Sequence, residues 1–239
     1  MANSKFINFQ DIDINNESTW DGKIVLSIDI DWASDDQIEK TIGLIDESIK
    51  ITIFATHKSE YVEELVFKRK NVEIGLHPNF DNLISGKDNS KGPEEILEDL
   101  LCILPEAQVL RSHGMTTSGR WLKMYKNYGI KYVSNYLMYG VSNVRPFYQI
   151  NGIVEAPVYF ADDGYMNLQK NMEIENITTD DLLSKDFEGI KVMNFHPVHV
   201  ATSIDKKIKC GFEDSKSDET SYLKIDEILK RIQDEKCVD

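Results

Sequence analysis

Eight side chains of the kinds that hydrolases use fall where apolar runs of this sequence stop: Asp29, Asp31, His57, His77, Arg111, His113, His196 and His199, which include all five histidines. Neutral imidazole together with carboxylate is the ligand set of a catalytic Zn²⁺ or a similar divalent ion that keeps one position open for water. Asp29 and Asp31 are two apart, so on a strand both carboxylates project to one face. Charges that close repel, and a cation or the Arg111 guanidinium would hold both ionised. Arg111 itself could clasp a carboxylate bidentately. His77, in EIGLHPNFD, leaves its strand through a tight exit marked by Gly75 and Pro78. His57 and His113 are further candidate ligands, although His57 could instead serve the first turn of the next helix. His196 precedes Pro197 and reads as a free-standing loop histidine, titrating near neutrality as a general acid must. His199 is the candidate substrate contact.

Each of these residues also has a purely structural reading. The aspartate pair could favour the N-terminus of the following helix, and Arg111 could form a surface salt bridge. The aromatics between Tyr136 and Phe160 could stack on a sugar, or simply pack against a sheet.

The elements that must carry these groups alternate along the chain. Lys23 to Asp31 is a β-branched run that reads as a buried strand. Ser34, with Gln37 three residues on, opens a helix carrying Ile38, Ile42, Ile45 and Ile49 on one face. Ile51 to Thr56 is strand-like, and Ser59 caps a short helix. Val72 to Leu76 is the next strand, and Pro93 opens a helix at a first-turn position. Gln108 to Ser112 is a fourth strand, Ser118 to Tyr128 a helix stopped by Gly129, and Ile130 to Ser134 a fifth strand. Ile153 to Ala156, a helix over 178–185, a strong strand from Ile190 to Phe195 and a closing amphipathic helix over 222–232 complete the series. Seven strand candidates alternating with helices predict parallel strands joined by right-handed crossovers in an α/β layer or barrel. In such folds the active site gathers at the carboxyl ends of the strands, where the eight residues stand.

Composition narrows the partners. Lys and Arg number 27 against 41 Asp and Glu, a formal charge of −14, which repels phosphate backbones and argues against nucleic acid. No run of apolar residues is long enough to span a membrane and no basic-then-apolar leader opens the chain, so the expectation is a cytoplasmic protein. Cys102, Cys210 and Cys237 are odd in number and widely spaced, which points away from a disulfide framework or a thiolate zinc site. The Asn-x-Ser/Thr matches at Asn16 and Asn176 therefore carry no meaning. The chain reads as a single catalytic domain, 1–239, with an N-terminal lead over 1–22 and the closing helix within 218–235.

SIDIDW, TIFATHKSEYVEEL, EIGLHPNF, RSHGMT and NFHPVH, in that order over about Lys23 to Thr202, resemble the polysaccharide deacetylase family with NodB homology, particularly its WbmS-like branch. The resemblance implies a distorted seven-stranded (β/α) barrel. It also implies roles: Asp29 as base, Asp31 as metal ligand, His77 as metal ligand in the second motif, Arg111 as the third-motif arginine and His196 as general acid. Relatives place a second metal histidine four residues after the first, where this chain has Asp81, so the third ligand is Asp81, His57, His113 or water. His113 also stands where the wider family has Pro. The implied cofactor is a divalent metal, Zn²⁺ foremost, with Co, Ni or Fe as other candidates. The implied reaction is hydrolysis of an N-acetyl group from a sugar or glycan precursor. An amidase acting on a small amide or ureide, and a non-catalytic sugar-binding relative, are the alternatives.

Overall fold

The computed structural model describes residues 4–88, 90–171, 184, 186–205 and 225–233. The central strand β1 (Lys23–Asp29) is buried along its whole length, with Ile24, Leu26 and Ile28 under the helices and Val25 packed inside the sheet's curl with Phe9, Trp20 and Phe54. It pairs in parallel with β2 (Ile51–Ala55) on one side and with β9 (Ile190–Phe195) on the other. Beyond β2 follow β3 (Val72–Leu76), β4 (Val109–Leu110) and β5 (Tyr132–Val133), all parallel. Beyond β9 lies β8 (Val158–Ala161). A short ribbon, β7 (Val154–Glu155) with antiparallel β6 (Phe147–Tyr148), hangs on the outer side of β5.

The sheet thus has nine strands, in the order β6-β7-β5-β4-β3-β2-β1-β9-β8, against the seven expected. It is curled. Leu137, four residues past β5, forms a parallel bridge to Val158 of β8, and the Val158 amide donates to the Tyr136 carbonyl while the Met138 amide donates to Val158. The seven strands β1 to β5, β8 and β9 therefore lie on one distorted ring, with β6 and β7 as an appendage. The β6 and β8 strands escaped the sequence reading because both are short and sit in a Gly-, Pro- and aromatic-rich stretch without alternation.

Helices cover the ring. In α1 (Asp35–Ile42) the Ser34 hydroxyl accepts from the Gln37 amide, and the Gln37 side chain returns a bond to Ser34, the expected capping box. The helix stops at Ile42, with Gly43 as its C-cap, and Ile45 and Ile49 reach the core from the turns beyond it. Ser59 caps α2 (Glu60–Lys68) by accepting from Val62. A single turn, α3 (Asp81–Ile84), precedes α4 (Pro93–Ile103), and α5 (Gly119–Asn127) ends before Gly129 at φ 84°, the left-handed stop that glycine allows. The chain then runs through α6 (Asp162–Asn171), α7 (Pro197–Asp205) and α8 (Ile225–Arg231). The helix expected over 178–185 lies mostly outside the described residues, as do Cys210, Cys237 and Asn176.

The N-terminal lead is part of the core. Phe6 bridges Ile24 at the start of β1, and Phe6, Phe9, Ile12 and Trp20 are buried. The buried Glu73 carboxylate holds this lead by accepting from the Phe9 and Gln10 amides and the Thr52 hydroxyl. Gly75 admits no side chain, since a Cβ there would come within 2.6 Å of the Phe54 ring. The aromatics between Tyr136 and Phe160 divide: Tyr159 is buried and Phe160 is buried against Phe195, Tyr139 and Tyr165, while Tyr136, Phe147 and Tyr148 are exposed. Among the described residues, no helix is long and apolar enough to cross a membrane.

Candidate active site

At the carboxyl ends of the ring strands a cleft of about 480 Å³ opens, and Asp29, Asp31, His77, Arg111, His113, His196 and His199 all line it. Seven of the eight residues picked from sequence converge there. His57 is the exception: its Nδ1 lies 2.8 Å from the Thr56 hydroxyl, it does not line the cleft, and it falls in neither histidine–carboxylate group among the described residues.

Asp29 ends β1, buried and doubly held. The Arg111 Nη1 donates to its Oδ1 at 2.9 Å and the Asn194 Nδ2 donates to its Oδ2 at 2.8 Å. The arginine clasp is thus single, not bidentate. Arg111 is 0% exposed because its other donors serve Ser27, Ser134 and the Asn194 carbonyl oxygen, and its guanidinium lies 4.4 Å from the Phe54 ring centre. A surface salt bridge is excluded. A fully buried guanidinium with its donors taken is a fixed positive charge beside Asp29, not a mobile one.

Asp31 reaches the cleft by a route that strand alternation does not give. The strand ends at Asp29, and Asp31 adopts φ 41°, a left-handed conformation uncommon for a non-glycine residue, with its carbonyl accepting from the Thr56 hydroxyl. The turn presents Asp31 Oδ1 to two histidines at once: His77 Nε2 and His113 Nδ1 each stand 3.1 Å away. Burial pushes the Asp31 carboxyl up, but the two imidazoles that face it, His113 first, outweigh it and hold the group far below the usual carboxylate range. His113 is raised above the ordinary imidazole value, chiefly by its bond to Asp31 and against its partial burial. Its far nitrogen is 3.5 Å from the Asp81 carboxylate, which is half exposed and belongs to neither group.

The buried His77 ring fixes what this first group can hold. Its Nδ1 lies 2.7 Å from the Arg111 carbonyl, which can only accept, so Nδ1 carries the proton. In the neutral ring Nε2 is then a lone pair, buried without a hydrogen-bond partner and facing an anionic oxygen. Two acceptors at that distance require a positive species between or beside them. A backbone carbonyl steering one imidazole nitrogen so that the other meets a metal is the usual supporting arrangement of such ligands. Asp31 Oδ1, His77 Nε2 and His113 Nδ1 fit one divalent cation with positions left open.

A second group, Asp162, His196 and His199, sits beside the first. His196 is buried at the start of α7, its carbonyl accepting from His199 and Val200, so it is no free-standing loop residue. Asp162 is fully buried and takes both the His196 amide, at 2.8 Å, and His196 Nδ1, at 2.5 Å. The other imidazole nitrogen, Nε2, faces the cleft 3.6 Å from Asp31 and 3.9 Å from Asp29. Burial alone would lower His196, but the Asp162 charge outweighs it and the imidazole is pushed up to about 10. For Asp162, burial works upward while His196 and His199 hold it well below its ordinary value. His199 is half-buried, with Nδ1 3.3 Å from Asp162.

Asp162 and Asn194 were missed from the sequence. Asp162 directly follows the β8 run VYFA and obeys the strand-end pattern that found the others; the signal was lost with the strand. Asn194 is interior to an apolar strand, where a lone amide is itself a signal because a buried polar group needs a partner.

Comparison with known proteins identifies the family. Residues 26–209 match the family described as WbmS-like polysaccharide deacetylase. The crystal structure of a Bordetella bronchiseptica WbmS protein, described as a polysaccharide deacetylase involved in O-antigen biosynthesis, is 26% identical with a TM-score of 0.75, covering 97% of this chain and 100% of that one. A Mycobacterium smegmatis protein described as a polysaccharide deacetylase aligns at 14% identity and TM-score 0.49, over 90% of this chain and 91% of its own. A 4-alpha-glucanotransferase from Thermococcus litoralis shares the fold at 13% identity and TM-score 0.51, over 87% of this chain and 36% of that one. No curated protein matches the chain in sequence.

Proposed function

The chain belongs to the WbmS-like polysaccharide deacetylases, hydrolases of acetyl amide bonds on carbohydrates, and on that footing we propose that this cleft removes an N-acetyl group from a sugar of a glycan precursor in a metal-dependent reaction. The observation that carries the metal is the buried, unpartnered Nε2 of His77 aimed at Asp31, with His113 on the same oxygen. Asp31, His77 and His113 would hold the ion, Zn²⁺ first among candidates for an Asp/His/His set. Bound there, it supplies Lewis-acid polarisation of the acetyl carbonyl and makes water more acidic.

The remaining chemistry belongs to the chain's own side chains. Asp29, locked by Arg111 and Asn194, takes the proton of the attacking water. His196 donates from Nε2 to the departing amine, while Asp162 fixes its ring by Nδ1 and keeps it charged until then. The products are acetate and the free amino sugar. Base and acid stand 3.9 Å apart, and each has its own counter-charge: the base is tied to a guanidinium and the acid to a carboxylate. Acetate release from acetamido sugars by the purified protein tests the reading. Activity that needs a divalent ion supports it, and a protein inert on acetamido sugars with any divalent metal overturns it.

A further inference from the structure

We infer that Trp32 is the sugar-binding platform of this cleft and that the ring it accepts is an uncharged acetamido pyranose presented by an oligosaccharide, not a sugar nucleotide. The inference rests on the deacetylase reading and goes further by naming how the substrate is recognised. Trp32 directly follows the left-handed turn at Asp31, lines the cleft and is 75% exposed. The other two tryptophans are placed otherwise: Trp20 is buried and Trp121 packs on Phe80. A large apolar ring left in water beside buried polar chemistry has no packing role to explain it, and aromatic faces suit the C–H faces of a pyranose. It stands edge-to-face with the His113 ring, centres 5.0 Å apart at 72°, which puts the exposed indole within reach of the cation seat. Met115, Leu137 and Val198 give the rest of the mouth an apolar lining.

Charge selects the ring. Besides its histidines, the cleft is lined by Asp29, Asp31 and Asp163 against one permanent cation, Arg111, which is fully buried with its donors already engaged. Among the described lining residues no lysine or second arginine offers a diphosphate its counter-charge, which nucleotide recognition requires. A neutral ring stacked on Trp32 needs no such counter-charge.

The test compares Trp32→Ala and Trp32→Phe with the parent protein on N,N′-diacetylchitobiose, on its monomer's uridine diphosphate conjugate, and on ethyl thioacetate, an acyl donor with no ring. Metal content is measured for each. The expected result is a rise of about ten-fold or more in KM for the disaccharide in Trp32→Ala with kcat little changed, a difference worth about one factor of ten in binding. Recovery in Trp32→Phe and unchanged ethyl thioacetate cleavage complete the pattern. The parent prefers the disaccharide to the nucleotide sugar. Equal losses on all substrates, an unchanged KM, or a preference for the nucleotide sugar overturns the assignment. Tryptophan emission separates this from the function itself: the disaccharide shifts emission in the parent and not in Trp32→Phe. A parent that shows the shift but releases no acetate keeps the platform and loses the deacetylase reading. Turnover with an equal shift in Trp32→Phe does the reverse.

Discussion

Two groups of one carboxylate and two histidines stand side by side in this cleft, and they are not equivalent. In the Asp31, His77 and His113 group the imidazoles converge on a single oxygen, and His77 leaves a buried nitrogen without a hydrogen bond. In the Asp162, His196 and His199 group the carboxylate is fully buried and grips His196 by both its amide and its ring. The first arrangement is short of a positive charge at its centre. The second already holds one, on His196. Each group leaves one buried imidazole nitrogen without a hydrogen bond, His77 Nε2 and His199 Nδ1, so ligand type and a free nitrogen decide little; whether the carboxylate already holds a charged imidazole decides if three such side chains seat an ion or store a proton.

That contrast can be broken by substitution. His77→Ala removes the free nitrogen, and turnover is expected to fall by about 10³-fold or more along with the bound ion, checked by steady-state rates and elemental analysis on the same sample. Asp29→Asn keeps the cup intact, so metal stays while turnover drops by about 10²- to 10⁴-fold, the span of general-base loss; full activity in that variant removes Asp29 from its role. Asp162→Asn preserves shape in the second group but takes away the charge that holds His196. Metal content is expected to be unchanged and kcat to fall by about 10- to 10²-fold, and loss of metal instead would merge the two groups into one.

A third buried carboxylate, Glu155, calibrates both because no imidazole is paired with it. It accepts from the Asn135 amide and the Gln149 side chain, yet burial pushes it up to about 7, above its model-peptide value of 4.5. The folded chain thus holds this proton at pH values where the unfolded chain has released it. Stability attributable to Glu155 is then lost as pH rises between about 4.5 and 7. Glu155→Gln is expected to flatten that slope, by about 3 kcal/mol across the range; thermal melts across the range measure it, and an unchanged slope refutes the assignment.

Much of the site could be read from residue order because parallel strands export their ends to one rim. Asp29, His77, Arg111 and His196 each follow or close an apolar run, and each lines the cleft. Their partners were harder to see for physical reasons. Asp31 was picked as a strand-end carboxylate, yet it reaches the cleft through a positive φ beyond the end of the strand, which no hydrophobic pattern encodes. Asp162 depends on β8, a strand of four residues, Val158–Ala161, in a segment whose aromatics mask its alternation. His57 obeyed the same strand-end rule and still missed the cleft, because the chain turns within two residues of β2 and ties His57 to Thr56. Six of the seven ring strands were legible; the seventh candidate, Ile153 to Ala156, is the appendage β7, and β8 went unread, so the closure through Leu137 and Val158 was not legible either.

Metal stoichiometry across the two groups tests the central claim most directly. Protein purified without added metal, with His113→Ala and His199→Ala prepared in parallel and their folding checked by circular dichroism, is taken through elemental analysis. The account predicts one divalent ion per chain in the parent and in His199→Ala, and its loss in His113→Ala. An ion that persists without His113, or departs with His199, would contradict it.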